Sequence, residues 1–343
     1  MEVQEFASYA LVIDARSAEA YQDDHVPGAV SMPVAADGAA GSQSPSVEGG
    51  LATVPGHRVP AMPRVLAMRA HHLSAGDAVL VYCDRGGLDS LVWADPLRAA
   101  GFRVDVLGGG WVNYRRWVDA GLEVLPRVLT FRPFLGPPVG GLCRVLDGLV
   151  QQGQQVIDLA ALAGQRLIPG LTLRCDTPPS QAAFETRLLD ALRRLNPQRP
   201  VWIRFGLSGL GGLALPPALR DALHRSNSMR LVVPVDVRAR AWADRLQAMG
   251  TGITALLQAI SASAMPPASG VIERWRSLAS GGQVLDALTE IIKAYIDPRS
   301  EIERWAGQMH FVRLASLTAE TVASEVERWL AAECLGNTHA RQD

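Results

Sequence analysis

Cys83 ends the apolar run Val79-Leu80-Val81-Tyr82 and is followed by Asp84-Arg85-Gly86-Gly87-Leu88-Asp89-Ser90. The run has the length of a buried strand, and Ser90-Leu91-Val92-Trp93 opens a helical pattern, so the sulfur falls between a strand end and a helix start. Two glycines let the main chain curl with successive N–H groups pointing inward, and the helix adds its positive end. Such a cradle stabilises an anionic sulfur, the nucleophile that accepts a sulfur or selenium atom as a persulfide-like adduct. Cys83 is therefore the expected catalytic residue, with Arg85, Gly86, Gly87 and Ser90 as its loop. The competing reading is an inert, buried strand-end cysteine, and the flanking sequence bears on the choice.

Arg85 has two readings, a guanidinium that pairs with the anionic sulfur or its donor, and a solvated loop arginine. Asp84 and Asp89 place two carboxylates beside a thiol that would have to meet anionic donors, which they repel. Cys143, Cys175 and Cys334 are far from Cys83 and from one another and form no C-x-x-C pair. That spacing argues against a zinc site and against a disulfide framework. His71-His72 has no further ligand at metal spacing and reads as surface, so no metal site is expected.

The elements that must hold this loop follow an alternating pattern. Ala10-Leu11-Val12-Ile13-Asp14 and Val79 to Cys83 read as central strands of a parallel sheet, with a Gly/Ser/Ala-rich loop over 37–50 between them. A helix is expected from Ser90 to Ala100 with a possible kink at Pro96, then a strand from Phe102 to Leu107, the turn Gly108-Gly109-Gly110 and a helix from Val112 to Ala120. Past Pro126 the alternation restarts with a strand over 127–131, a Gly/Pro loop over 133–141, a helix over 142–150 and a strand over 155–158. Further on, 184–195 reads as helix, Val201-Trp202-Ile203 and Leu231-Val232-Val233 as strands, and the chain from Ala239 as mainly helical. The fold class is α/β in two domains, 1–125 and 126–343.

Several segments resemble the rhodanese family: Val12-Ile13-Asp14-Ala15-Arg16-Ser17, then Tyr21, then His25-Val26-Pro27-Gly28-Ala29 with Pro33. Leu97-Arg98-Ala99-Ala100-Gly101-Phe102 and Gly108-Gly109-Gly110-Trp111 resemble that family's closing helix end and glycine turn. The resemblance implies a rhodanese-like domain with a parallel sheet, in which Asp14 and Arg16 support the fold at the end of the first strand.

A narrower resemblance covers most of the chain. Cys83 to Ser90 is similar to the C-x-R-G-G-x-R-S loop of bacterial tRNA 2-selenouridine synthases, and Gly109-Gly110-Trp111 with Tyr114-Arg115-Arg116 to their G-G-Y-K-x-Y-R-R stretch. Val156-Ile157-Asp158-Leu159, Pro179-Ser180-Gln181, Phe184-Glu185, Leu215-Pro216 and Tyr295-Ile296-Asp297-Pro298 follow in the same order. The resemblance implies a rhodanese-like domain joined to a P-loop-like α/β domain with a helical C-terminal part. It also implies a tRNA partner whose wobble 2-thiouridine is geranylated and then selenated, with geranyl diphosphate and selenophosphate as co-substrates and no tightly bound cofactor.

This chain departs from that pattern where phosphates would be held. Gly136-Pro137-Pro138-Val139-Gly140-Gly141-Leu142-Cys143 keeps Gly136, Gly140 and Gly141 as a degenerate phosphate loop. It puts Leu142 at the lysine position and Cys143 at the hydroxyl position, and Pro137 and Pro138 supply no N–H. The family's acidic E-D-E-S-R-x-I-G segment falls near 204–211, where the carboxylates are gone. Asp89 replaces the loop arginine, and the V-G-T-x-Y-K segment is absent, its place taken by Gly50-Leu51-Ala52-Thr53-Val54-Pro55.

Composition sets the outer bounds. Apolar residues make up 48% and charged residues 20% of 343, which describes a folded globular chain. A net charge of −1 excludes a generally basic nucleic-acid binder, so any RNA must be met by local arginines, because Lys293 is the one lysine. The opening Met1-Glu2-Val3-Gln4-Glu5 is not basic, and no apolar run reaches the roughly 18 residues of a membrane span, so a cytoplasmic protein is expected. Three functions remain open: a diverged tRNA 2-selenouridine synthase, a rhodanese-type sulfur carrier, and a catalytically silent tRNA-binding homologue that uses Arg115, Arg116, Arg193, Arg194 and Arg199.

Overall fold

The computed structural model describes residues 3–34, 73–74, 76–137, 139–164, 178–204, 210, 212–263, 265–299 and 308–339. The chain divides into two compact units, Met1–Gly121 with Glu185–Leu189, and Leu122–Phe184 with Asp190–Asp343. The expected loop over 37–50, the segment at Gly50 to Pro55, His71-His72 and Cys175 lie outside the described residues, as do most of residues 204–211.

The first unit is built on four parallel strands, β1 (Leu11–Asp14), β2 (Val30–Ser31), β3 (Ala78–Tyr82) and β4 (Arg103–Val106), in the order β2-β1-β3-β4. All four residues of β1 are buried, as are Val79 to Tyr82 of β3, which is why the two central strands read as unbroken apolar runs. Helix α1 (Ala18–Asp23) starts at Ser17, whose hydroxyl accepts the Ala20 N–H at 3.2 Å. Helix α2 (Leu88–Ala99) follows β3 and includes Pro96, and α3 (Gly110–Val128) follows β4. Leu11, Ile13, Val79, Val81, Trp93, Leu97 and Val104 form the core, and Cys83 belongs to it.

The second unit carries five parallel strands, β5 (Phe131–Leu135), β6 (Gln155–Asp158), β7 (Val201–Arg204), β8 (Ser228–Val232) and β9 (Met309–Arg313), in the order β6-β7-β5-β8-β9. Helix α4 (Leu142–Gln151) packs Leu142, Val145, Leu146 and Leu149 against Phe134, Trp202 and Trp329. A separate core, centred on Trp242, Leu256, Ile260, Trp275, Ile291 and Tyr295, joins the helices after β8. No helix among the described residues is long and apolar enough to cross a membrane.

The largest differences from the sequence reading concern α3, β5 and β9. Helix α3 continues through Pro126 to Val128 instead of ending at Ala120, and β5 starts at Phe131 instead of ending there. The interior of β5 holds Phe131, Pro133, Phe134 and Leu135 buried, so tertiary burial outweighs the breaker signal of Pro133. Strand β9 lies inside the region read as helical; it buries Val312 and exposes Phe311, leaving little two-residue periodicity to detect.

Candidate active site around Cys83

Cys83 directly follows β3 and is 4% exposed. Its Sγ accepts the N–H of Gly87 at 3.2 Å. Gly87 is the residue that caps α2, and it has no side chain to fill that role, so the sulfur lies against the positive end of the helix. Among the described residues this is the single amide that donates to the sulfur.

The loop is locked to the turn that begins α3. The carbonyl of Cys83 accepts the Trp111 N–H at 2.8 Å, and that of Asp84 accepts the Val112 N–H at 3.1 Å. Gly86 adopts φ +71° and Gly110 φ +55°. A Cβ on Gly86 would come to 2.6 Å from the Leu107 carbonyl oxygen, and one on Gly110 to 2.2 Å from that of Cys83. Both positions therefore require glycine twice over, for the backbone angle and for the closeness of the two turns.

A buried polar network fixes the strand ends beneath the loop. Asp14 is fully buried and takes both Nε and Nη2 of Arg16, the latter at 2.7 Å, and the Tyr82 hydroxyl donates to the same carboxylate at 2.6 Å. Arg16 reaches on to the Asp24 carbonyl oxygen at 2.6 Å, and its guanidinium lies 3.8 Å from the Trp111 ring centre, a cation–π contact. Burial works against the charged guanidinium, but the hydrogen bonds and charge of Asp14 outweigh it and hold Arg16 above its ordinary value. Burial, followed by the Asp14 charge, pushes the Tyr82 phenol up, so it remains the proton donor in the pair. Asp14 and Arg16 thus tie β1 to β3 and to the turn carrying Trp111. Tyr82 and Asp24 complete this network; they carry no motif of their own, and they join it through contacts 68 and 8 residues apart in sequence.

Ser90 is fully buried, and its hydroxyl has no hydrogen-bond partner among the described residues. Arg85 is exposed and lines an open cavity of about 460 Å³ with Gly108, Gly109, Val112, Asn113 and Arg116. Asp84 and Asp89 are exposed on the same loop.

In the second unit, Gly136, Gly140 and Gly141 lie in the connection from the central strand β5 to α4. The Gly140 N–H closes back on the Pro137 carbonyl at 2.9 Å, and Gly141 takes φ +76°. Leu142 is 6% exposed and packs into the core beside Gly136. Arg204 donates to Asp158 at 3.0 Å and to the Cys143 sulfur at 3.2 Å. Gly140, Gly141, Leu142, Cys143 and Arg204 help to line a cavity of about 320 Å³, in which internal partners take up the Gly140 amide and the Arg204 guanidinium. No group of three or more histidine, cysteine or carboxylate residues suited to a metal ion occurs among the described residues.

Residues 3–116 match the family model of the rhodanese-like domain. The chain is 32% identical over 150 residues to a tRNA 2-selenouridine synthase of Marinobacter nauticus, covering 43% of this chain and 39% of the relative. It is 30% identical over 243 residues to one of Chromohalobacter salexigens, covering 66% and 62%. It is 26% identical over 168 residues to one of Shewanella oneidensis, covering 48% and 43%. The matched stretches thus span between 39% and 62% of these relatives' lengths. With β3 leading to a cysteine at a helix start in a sheet of four parallel strands, and the family match over the same residues, the first unit is a rhodanese-like domain, and the chain carrying it is similar over part of its length to tRNA 2-selenouridine synthases.

Proposed function

We propose that this protein transfers sulfur or selenium through Cys83 to a tRNA base, as a diverged tRNA 2-selenouridine synthase. The observation that carries the reading is the Cys83 sulfur, hydrogen-bonded to the N–H of the residue that starts α2, within a rhodanese-like domain. In the simplest loading step, the Cys83 thiolate attacks the outer sulfur of thiosulfate. A new S–S bond forms, the old one breaks, and sulfite leaves with the electron pair. The relatives' name supports a tRNA base as the acceptor, and the motif resemblance adds 2-thiouridine as that base, selenophosphate as the selenium source and a geranylated intermediate.

The second unit qualifies how the geranyl step would be served. With Leu142 in the core and the Gly140 amide already bonded, the loop over 136–141 lacks the lysine and part of the main-chain cradle for a diphosphate. That supports chalcogen transfer as the better preserved half of the chemistry and favours a sulfur carrier as the second reading.

Incubation with thiosulfate, followed by alkylation and peptide mass spectrometry, should place a persulfide on Cys83 and none in Cys83→Ser. Incubation with 2-thiouridine tRNA and selenophosphate, with and without geranyl diphosphate, followed by nucleoside analysis, should then yield 2-selenouridine. A Cys83 adduct with no change in the nucleosides selects the sulfur carrier. No adduct at Cys83 overturns both.

A further inference from the structure

Within residues 1–121, the described arginines other than Arg85 and Arg116 have partners. Arg16 is held by Asp14, Arg98 by Asp95, Arg103 by the Gly76 carbonyl, and Arg115 by Asp24 and Asp119. Arg85 and Arg116 are exposed, have no hydrogen bond or ion pair among the described residues, and line the same cavity of about 460 Å³. They come from different elements, the thiol loop and the second turn of α3. The spacing between those elements is fixed by the interlocked glycines and by the bonds from Trp111 and Val112 to the loop carbonyls.

Gly108 and Gly109 also line the cavity, and among the described residues no carboxylate lines it. A Cβ at Gly108 would meet nothing within 4 Å, so a ligand can approach that backbone closely. The α3 amides are already committed: those of Gly110, Trp111, Val112 and Asn113 bond to Leu107, Cys83, Asp84 and Gly109. Recognition there must come from the two guanidiniums, whose planar donor forks match the oxygens of a phosphate group. A single exposed ion pair binds weakly in water. A ligand engaged here therefore needs contacts elsewhere, which a polyanion has and a small free anion lacks.

We infer that Arg85 and Arg116 form a phosphate-binding site for a backbone phosphodiester of RNA, next to the Cys83 loop. The inference rests on the proposed action on tRNA. It assigns a binding role to two side chains that the Cys83 chemistry does not itself require.

The test uses the full chain and a 2-thiouridine-containing tRNA, with fluorescence anisotropy measured across a salt series. In Arg85→Ala/Arg116→Ala, affinity at low salt should fall about ten-fold or more, and the slope of log affinity against log salt should fall by roughly 1 to 2. Arg85→Lys/Arg116→Lys keeps the charge but loses the forks and should fall between wild type and the alanine pair. Arg187→Ala, an exposed arginine outside this cavity, should leave the slope unchanged. Wild-type affinity and slope in the alanine pair overturn the site while leaving the proposed function standing. A wild-type chain that binds no tRNA overturns both. A pair that binds tRNA normally but needs ten-fold more thiosulfate to load Cys83 assigns the arginines to the small anionic donor and overturns the RNA assignment.

Discussion

Gly110 shows how narrow the tolerance is around the thiol. An alanine there would put its Cβ 2.2 Å from the Cys83 carbonyl oxygen at a positive φ. The backbone conformation alone costs about 1–2 kcal/mol and the overlap a further 1–3 kcal/mol. Gly110→Ala should therefore lower stability by at least about 2 kcal/mol in urea unfolding and reduce thiosulfate loading of Cys83. Gly108→Ala, whose added methyl group meets open space, should stay within about 0.5 kcal/mol of wild type. The sequence made Cys83, its loop, and Asp14 and Arg16 legible, because each sits in a local pattern. It did not reveal the Tyr82 hydroxyl bond to Asp14, because a tyrosine in an apolar strand looks like packing until its partner 68 residues away is known.

At the scale of elements, the connection from β5 to α4 sets a strand, a glycine-bearing loop and a helix in order, and its side chains serve packing. Leu142 points into the core, where it helps to hold the helix against Phe134 and Trp202. Leu142→Lys would introduce the charge that a phosphate loop carries, yet it would remove this packing and place an ammonium group at a buried position. We expect a loss of about 3 kcal/mol or more in unfolding free energy and no gain in binding inorganic phosphate by calorimetry. The central strands were readable as apolar runs, and Gln155–Asp158 was readable with its ends correct. The length of α3 and the existence of β9 were not. Pro126 and Pro133 mark breaks that burial overrides, and β9 has too little of its surface buried to leave an alternating pattern.

For the whole molecule, pH dependence offers a test at a residue outside any motif. Asp24 is buried, and burial raises its carboxyl above the ordinary value of 3.8, although Thr186, Arg115 and His25 each favour the charged form. The folded state thus binds the Asp24 proton more tightly than the unfolded chain. Its stabilising contribution is complete below pH 3.8 and is lost as pH rises through the folded value. Asp24→Asn abolishes this titration. The stability of wild type relative to the variant should therefore fall as pH increases upward from about 4, as followed by thermal melts at matched ionic strength; a difference that stays flat or rises would remove Asp24 from this account. Composition made a nearly neutral, arginine-rich folded chain legible, its length suggested two domains, and the alternation of strand and helix patterns gave the α/β class. Composition did not show which arginines were already engaged, because Arg115 bonds to Asp24 across 91 residues while its neighbour Arg116 is exposed and has no ion pair among the described residues.

The bond from the Trp111 amide to the Cys83 carbonyl has a mechanical consequence. Swinging the thiol segment outward would unwind the opening turn of α3 and pull Trp111 from its place over Arg16. The sulfur is a stationary post: under the proposed function, a donor would have to travel in to it and the recipient base be delivered to the same spot.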